Sequence, residues 1–112
     1  MVYMIIKFNG KKVSVKARKL NLLEMARGLM FRKKETKNLL FDNFSGAIHS
    51  YFVFFDFLAV WMNKNNKVIH AEIIKPFNFH VKPKEKFSKL LEIPVNRKNF
   101  QLIKNIVGKR NI

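Results

Sequence analysis

The alternation of apolar and charged residues sets one stretch of the chain apart from everything around it. Residues 38–63 contain no Lys or Arg, and residues 47–62 within them are almost entirely apolar. A membrane-spanning helix needs about 20 consecutive apolar residues, and this run has only sixteen. Aromatic and β-branched residues favour buried strands. The pattern therefore predicts two core strands, near 48–54 and 57–62, with a bend at Asp56.

A β-hairpin is predicted at the N-terminus. Residues 2–8 and 11–18 are apolar-rich runs, and Asn9-Gly10 between them tolerates the positive φ angles of a two-residue turn. In the second run small apolar residues alternate with polar ones, so one face of the strand is expected in the core and the other in solvent. The expected solvent face carries a basic row: Lys12, Lys16 and Arg18.

Two helices are predicted from their end signals. Asn21 with Glu24 three residues later forms a capping box, which indicates a short helix near 21–28. Asn96 precedes a segment whose apolar residues recur at helical spacing, which predicts a C-terminal helix near 97–107.

Two further strands complete the predicted fold. Residues 68–74 follow a polar turn and are expected to form a hairpin with 57–62, and residues 87–93 form another apolar run that Pro94 ends. The elements together predict a mainly β (α+β) fold. We expect one domain over residues 1–112, a small antiparallel β-sandwich or barrel.

Net charge gives the strongest indication of function. The chain has 23 Lys and Arg against 7 Asp and Glu, a formal charge of +16. Such self-repulsion favours a polyanionic partner, although compositional drift in a Lys- and Asn-rich genome would also produce it. We therefore predict a non-enzymatic RNA-binding protein. Ribosomal or other structured RNA is the first partner to test, which would make the protein ribosome-associated. The predicted contacts are Lys11, Lys12, Lys16, Arg18, Lys19, Arg32, Lys33, Lys34, Lys37, Lys82, Lys84, Lys86, Arg97 and Lys98.

Chemistry of other kinds has little support in the sequence. The chain has no Cys, and its three His lack the spacing that places two ligands on one metal. No carboxylate pair, nucleophile triad or phosphate-binding Gly-rich loop stands out. We predict no metal, no cofactor and no catalytic residue, and leave an enzymatic role open but less favoured. The N-terminal segment shows no export signal, which predicts a cytoplasmic location.

The twelve Phe raise the question of base stacking. Most are expected in the core. Phe79 and Phe87, close to three lysines of the loop that joins the last two strands, are the pair to test first for exposure beside a basic groove.

Three blocks of residues resemble a known family, the bacterial and archaeal domain of unknown function 192. They are residues 27–32 (Arg-Gly-Leu-Met-Phe-Arg), residues 48–52 (Ile-His-Ser-Tyr-Phe) and residues 91–94 (Leu-Glu-Ile-Pro). The resemblance implies a mostly antiparallel β-sandwich or barrel with no settled activity. The chain departs from the family at two acidic positions. The usual aspartate either falls on Leu58 or is displaced to Asp56, and Gly108-Lys109 stands where relatives tend to have Gly-Asp.

The resemblance also provides an alternative function. Met30, His49 and Glu92 lie in the three blocks and would form a pocket for a small ligand or carbohydrate, or the site of an enzyme of unknown reaction. From the residues alone, Glu92 is expected to form an ion pair with Arg27 or Arg32.

Overall fold

The computed structural model describes residues 1–78 and 80–108. Within these residues the chain forms one curled six-stranded sheet and two short helices, with the strand order β1-β2-β3-β6-β4-β5. The mainly β prediction is confirmed. The elements are β1 (Val2–Phe8), β2 (Lys11–Lys19), α1 (Leu22–Arg27), β3 (Leu39–Phe41), β4 (Phe57–Met62), β5 (Val68–Ile74), β6 (Lys89–Pro94) and α2 (Phe100–Val107).

The sheet is mixed and forms a half-barrel, whereas the sequence predicted an antiparallel sandwich or barrel. β2 and β3 pair in parallel, and the other neighbouring strands are antiparallel. Parallel pairing requires a long crossover connection, and the segment containing α1 provides it. The sheet curls until the Lys7 N–H donates to the Asn66 carbonyl at 2.9 Å, which brings β1 close to the start of β5.

Apolar residues are buried on both faces of the sheet. On one face, Trp61, Phe57 and their neighbours are covered by α1 and by the long loops. On the other face, α2 packs through the fully buried Ile103 against residues of β1, β2, β4 and β6. Cover on both faces of the central strands explains why all six residues of β4 are buried.

The N-terminal hairpin and α1 agree with their sequence signals. Asn9 and Gly10 both have positive φ, 47° and 74°. The Asn21 side chain accepts from the Glu24 N–H while the Glu24 side chain accepts from the Asn21 N–H, so the predicted capping box is complete.

The predicted strand over 48–54 is wrong. Only Ile48 forms a β-bridge, with Val81, and the chain beyond it is a loop. Ser50 explains the difference, because its hydroxyl donates to the Lys75 carbonyl and accepts from the Asn78 N–H, both at 2.6 Å. These bonds join two loops in place of a strand pair and override the local β propensity.

The start of the C-terminal helix also differs from the prediction. α2 begins at Phe100, with Asn99 as the N-cap residue, instead of near 97. Asn96 does act in this turn, since its Oδ1 accepts from the Asn99 N–H at 2.8 Å. Among the described helices, neither is long and apolar enough to cross a membrane.

Candidate functional site

A cavity of about 380 Å³ lies between α1 and the sheet. The three blocks on which the family resemblance rests meet here, since Arg27, Gly28, His49 and Glu92 all line it. Of the three residues in the alternative pocket, His49 and Glu92 are therefore brought together. Met30 does not line the cavity and packs against the core beside it.

Glu92 is the most deeply buried polar side chain that lines the cavity. It lies in β6, between β3 and β4, with Leu39 and Ala59 as its cross-strand neighbours. Its side chain faces the same side of the sheet as those two residues, and Glu92 is only 3% exposed. Its Oε1 is buried and has no hydrogen-bond partner among the residues that the structure describes. A buried polar atom of this kind is uncommon, because most buried polar groups are hydrogen-bonded.

The ion pair predicted for Glu92 is wrong. Arg27 Nε donates to the Met30 carbonyl at 3.0 Å, and Arg32 Nε donates to the Gly28 carbonyl at 2.8 Å. Both arginines thus bind the backbone that follows α1. No salt bridge of the described residues includes Glu92.

Burial sets the protonation of Glu92. Desolvation raises the pKa of its carboxyl to about 8, and the positive charge of Arg32 only partly opposes this effect. The partial burial of Arg32 itself, together with the positive charges of Arg27 and Arg18, lowers the pKa of Arg32. At neutral pH the Glu92 carboxyl is therefore mostly protonated, so the cavity presents an O–H donor and a carbonyl acceptor.

The remaining walls of the cavity are mainly apolar. His49 is the other polar side chain of the interior, and its Nδ1 accepts from the Tyr51 N–H at 3.2 Å. A neutral His49 therefore carries its proton on Nε2. Exposed residues of α1, among them Leu22 and Arg27, border the opening. The apolar walls are Met25, Leu29, Phe41, Phe44, Ile48, Val53 and Phe57.

Gly28 brings the backbone against the Glu92 carboxyl. Its φ is +52°, and a Cβ there would lie 3.2 Å from Glu92 Oε1 and 3.3 Å from Phe41 Cζ. We expect Gly28→Ala to lower the free energy of unfolding by about 2 kcal/mol, from backbone strain and crowding together. Gly10→Ala is the control in urea unfolding, because Gly10 has φ +74° with no atom within 4 Å of its Cβ position. Equal losses in the two variants would show that the cavity wall accommodates a methyl group.

The predicted basic residues differ in their surroundings. Arg18 pairs with Glu24, Lys19 pairs with Asp42 at 3.4 Å, and Arg32 is half-buried against Gly28. Two groups share local surfaces: Lys11 and Lys12 lie at the hairpin turn, and Lys16, Lys37 and Lys98 line a second groove. Another loop holds Lys82, Lys84 and Lys86. The other residues of the predicted set, Lys33, Lys34 and Arg97, are exposed.

The predicted stacking pair is not supported. Phe87 is buried, 8% exposed, between Trp61 and Phe44. Phe79 lies outside the described residues. The exposed aromatic ring near the lysines of β2 is Tyr3, at 73% exposure. The alternation along β1 was the signal that sequence reasoning missed, because it places Tyr3 on the same face as Lys7.

No group of three or more potential metal ligands occurs in the part of the chain that the structure describes. His70, one of the three histidines, bonds Glu72, with 3.0 Å between Nε2 and Oε1. Its ring lies against Trp61.

Comparison with known proteins identifies a protein of similar fold but indicates no activity. No family model and no curated protein matches the chain. A crystal structure of a protein of unknown function from Novosphingobium aromaticivorans DSM 12444 is similar, with a TM-score of 0.72 and 14% sequence identity. The match covers 90% of this chain and 77% of that one. At this identity the similarity shows that the two proteins share a fold.

Proposed function

We propose that this protein binds a small, mostly apolar molecule in the Glu92 cavity and holds it by a hydrogen bond to the Glu92 carboxyl. The observation that carries the proposal is the Glu92 carboxyl, which lines a cavity large enough for a ligand and whose buried Oε1 has no hydrogen-bond partner among the described residues. Ligand pockets are usually apolar with a few placed polar groups and have volumes of roughly 300–1,000 Å³.

The protonation state of the Glu92 carboxyl restricts the class of ligand. A protonated carboxyl donates one hydrogen bond and accepts others, so it suits a neutral amide or hydroxyl. A cation is disfavoured because Arg27 lies at the cavity and Arg32 acts on the Glu92 carboxyl. A buried anion would find both arginines already bound to backbone carbonyls, and burying a charge that is not paired is costly.

The family resemblance supports the same site. Residues of all three blocks line the cavity, although the blocks lie far apart in sequence. Membership in the domain of unknown function 192 family remains a proposal, and it predicts that relatives keep a carboxyl at the position of Glu92.

A probe series tests the proposal. Benzamide offers an apolar ring with a neutral donor and acceptor, while toluene, benzylamine and benzoate serve as apolar, cationic and anionic controls. A cavity of about 150 Å³ is enough to bind benzene. We expect benzamide to bind about tenfold more tightly than toluene, from one buried hydrogen bond. Glu92→Gln, which keeps a donor and an acceptor, should retain most of this preference, and Glu92→Leu should abolish it.

The test separates the proposal from simple hydrophobic binding. Equal affinity of benzamide and toluene for the wild type would contradict a role for Glu92. Tighter binding of benzylamine or benzoate would contradict the neutral ligand class. Calorimetry or ligand-observed NMR at pH 6.5 provides the measurement.

RNA binding is a second candidate function, and the lysines around the N-terminal hairpin favour it. Lys11, Lys12, Lys16, Lys37 and Lys98 are exposed, and none of them belongs to an ion pair of the described residues. None of these lysines lines the Glu92 cavity, so the two functions can be tested separately. The cytoplasmic location and the ribosomal partner stay predictions of the sequence.

A further inference from the structure

The outward side of the β1–β2 hairpin is an uncovered sheet face. Tyr3, Ile5 and Lys7 of β1 are exposed while the residues between them are buried. Their partners on β2 are Lys16, Ser14 and Lys12, in that order. Neither strand contains an acidic residue. We call these six residues the hairpin face: Tyr3, Ile5, Lys7, Lys12, Ser14 and Lys16.

Two lysines of the hairpin face repel each other. Lys7 and Lys12 are direct cross-strand partners. Side chains in such positions have Cβ atoms about 5 Å apart, and like charges there are destabilising. Neither lysine is in an ion pair of the described residues. An anionic ligand that lies between them would remove this repulsion, so the hairpin face complements negative charge.

Further lysines extend this charge at both ends of β2. Near the turn, Lys11 and Lys67 join Lys7 and Lys12 around a groove of about 270 Å³. Toward the other end, a groove of about 290 Å³ is lined by Lys16, Lys37 and Lys98. Lys12 and Lys16 are about 13 Å apart along β2, from a rise of about 3.3 Å per residue. Among the described residues, the combined surface is lined by no acidic residue and by seven lysines: Lys7, Lys11, Lys12, Lys16, Lys37, Lys67 and Lys98.

An aromatic ring lies within this charged surface. Tyr3 is 73% exposed, and Lys16 Nζ lies 5.5 Å from the centroid of its ring. Proteins that bind single-stranded nucleic acid combine a positive groove for the backbone with aromatic side chains on which bases stack. In a duplex the faces of the bases are stacked on one another, so an exposed ring beside lysines favours a single strand.

We infer that the hairpin face and its two lysine grooves bind single-stranded nucleic acid, with the backbone along β2 and one base on Tyr3. The inference rests on RNA binding as a function of this protein and adds to it the surface and the form of the nucleic acid. It does not involve the Glu92 cavity, so the protein would hold two independent sites.

Two triple variants test the surface, and each removes three positive charges. Lys12→Gln/Lys16→Gln/Lys98→Gln changes the inferred surface, and Lys82→Gln/Lys84→Gln/Lys86→Gln changes a different loop by the same charge. The probe is a fluorescent 12-nucleotide oligouridine in 50 mM salt. We expect the first variant to lose about 30-fold or more in affinity and the second less than threefold. The slope of log K against log salt should fall by about 2 in the first variant, from about 0.7 per phosphate contact on a single strand.

The outcomes separate the surface from RNA binding in general. No binding of oligouridine by the wild type would overturn RNA binding itself, and the surface with it. Binding that both variants weaken equally would keep RNA binding and overturn the surface, because only total charge would then matter. Tighter binding of a 12-base-pair RNA duplex than of oligouridine would overturn the choice of a single strand.

Tyr3→Leu tests the stacking contact separately. Leu keeps apolar area but has no π-face for a base, so we expect a loss of about fivefold in affinity with an unchanged salt slope. Ile5→Leu is the matched control on the same face and should leave the affinity unchanged. An unchanged affinity in Tyr3→Leu would overturn the stacked base.

Discussion

Glu92→Gln is expected to be more stable than the wild type by several kcal/mol at pH 9 and about equal to it at pH 5. The ordinary pKa of a Glu is about 4.5, and burial raises the pKa of Glu92 to about 8 in the folded protein. Between these two values the folded chain binds a proton that the unfolded chain has lost, so wild-type stability falls as pH rises. This loss is complete once the pH exceeds the folded-state pKa. Gln cannot ionise, so the variant avoids this loss.

Urea unfolding at pH 5, 7 and 9 measures this difference. Glu85→Gln is the control, because it makes the same chemical change at an exposed position. Parallel pH profiles for the wild type and Glu92→Gln would show that the Glu92 carboxyl has a partner or reaches solvent. That result would remove the basis for the ligand proposal.

Asn99→Ala is expected to lower the free energy of unfolding by about 2–4 kcal/mol. Asn99 is buried, and its Nδ2 donates to the Pro94 carbonyl at 2.9 Å and to Asn38 Oδ1 at 3.0 Å. Asn38 Nδ2 in turn donates to the Lys16 carbonyl at 3.0 Å. Asn99 therefore joins α2 to β6 and, through Asn38, to β2. Its loss leaves buried acceptors unpaired, which costs about 1–3 kcal/mol each.

Thermal unfolding provides the measurement for Asn99. For a domain of about this size a loss of 2 kcal/mol lowers Tm by roughly 8–16 °C. Asn105→Ala is the control on the exposed side of α2, where the Asn105 side chain accepts a hydrogen bond from Gln101, and it should lower Tm by less than about 3 °C. Similar values for the two variants would show that solvent replaces the bonds of Asn99.

Local signals predicted the local structure well. Asn9-Gly10 and the Asn21/Glu24 pair specify a turn and a helix start through contacts within a few residues, and the structure contains both. The strand predicted over 48–54 is absent because the β propensity of these residues competes with hydrogen bonds to a distant segment. Ser50 bonds backbone atoms 25 and 28 residues away, which no local pattern reveals.

The candidate site was only partly predictable for the same reason. The family blocks pointed to His49 and Glu92, but the ion pair expected for Glu92 assumed that a nearby arginine would turn toward it. Arg27 and Arg32 instead bind carbonyl groups of the turn after α1. The parallel pairing of β2 and β3 could likewise not be predicted from the sequence, because it depends on how the α1 crossover packs on the sheet.

The titration of the Glu92 carboxyl carbon by NMR, without and with benzamide, tests the central claim most directly. We predict a midpoint near pH 8 in the free protein, from the burial that raises the pKa of Glu92 to about 8. Benzamide should raise the midpoint further, because it binds the protonated form. A midpoint in the ordinary range of a glutamate, or one that benzamide leaves unchanged, would contradict the claim that this carboxyl holds a ligand.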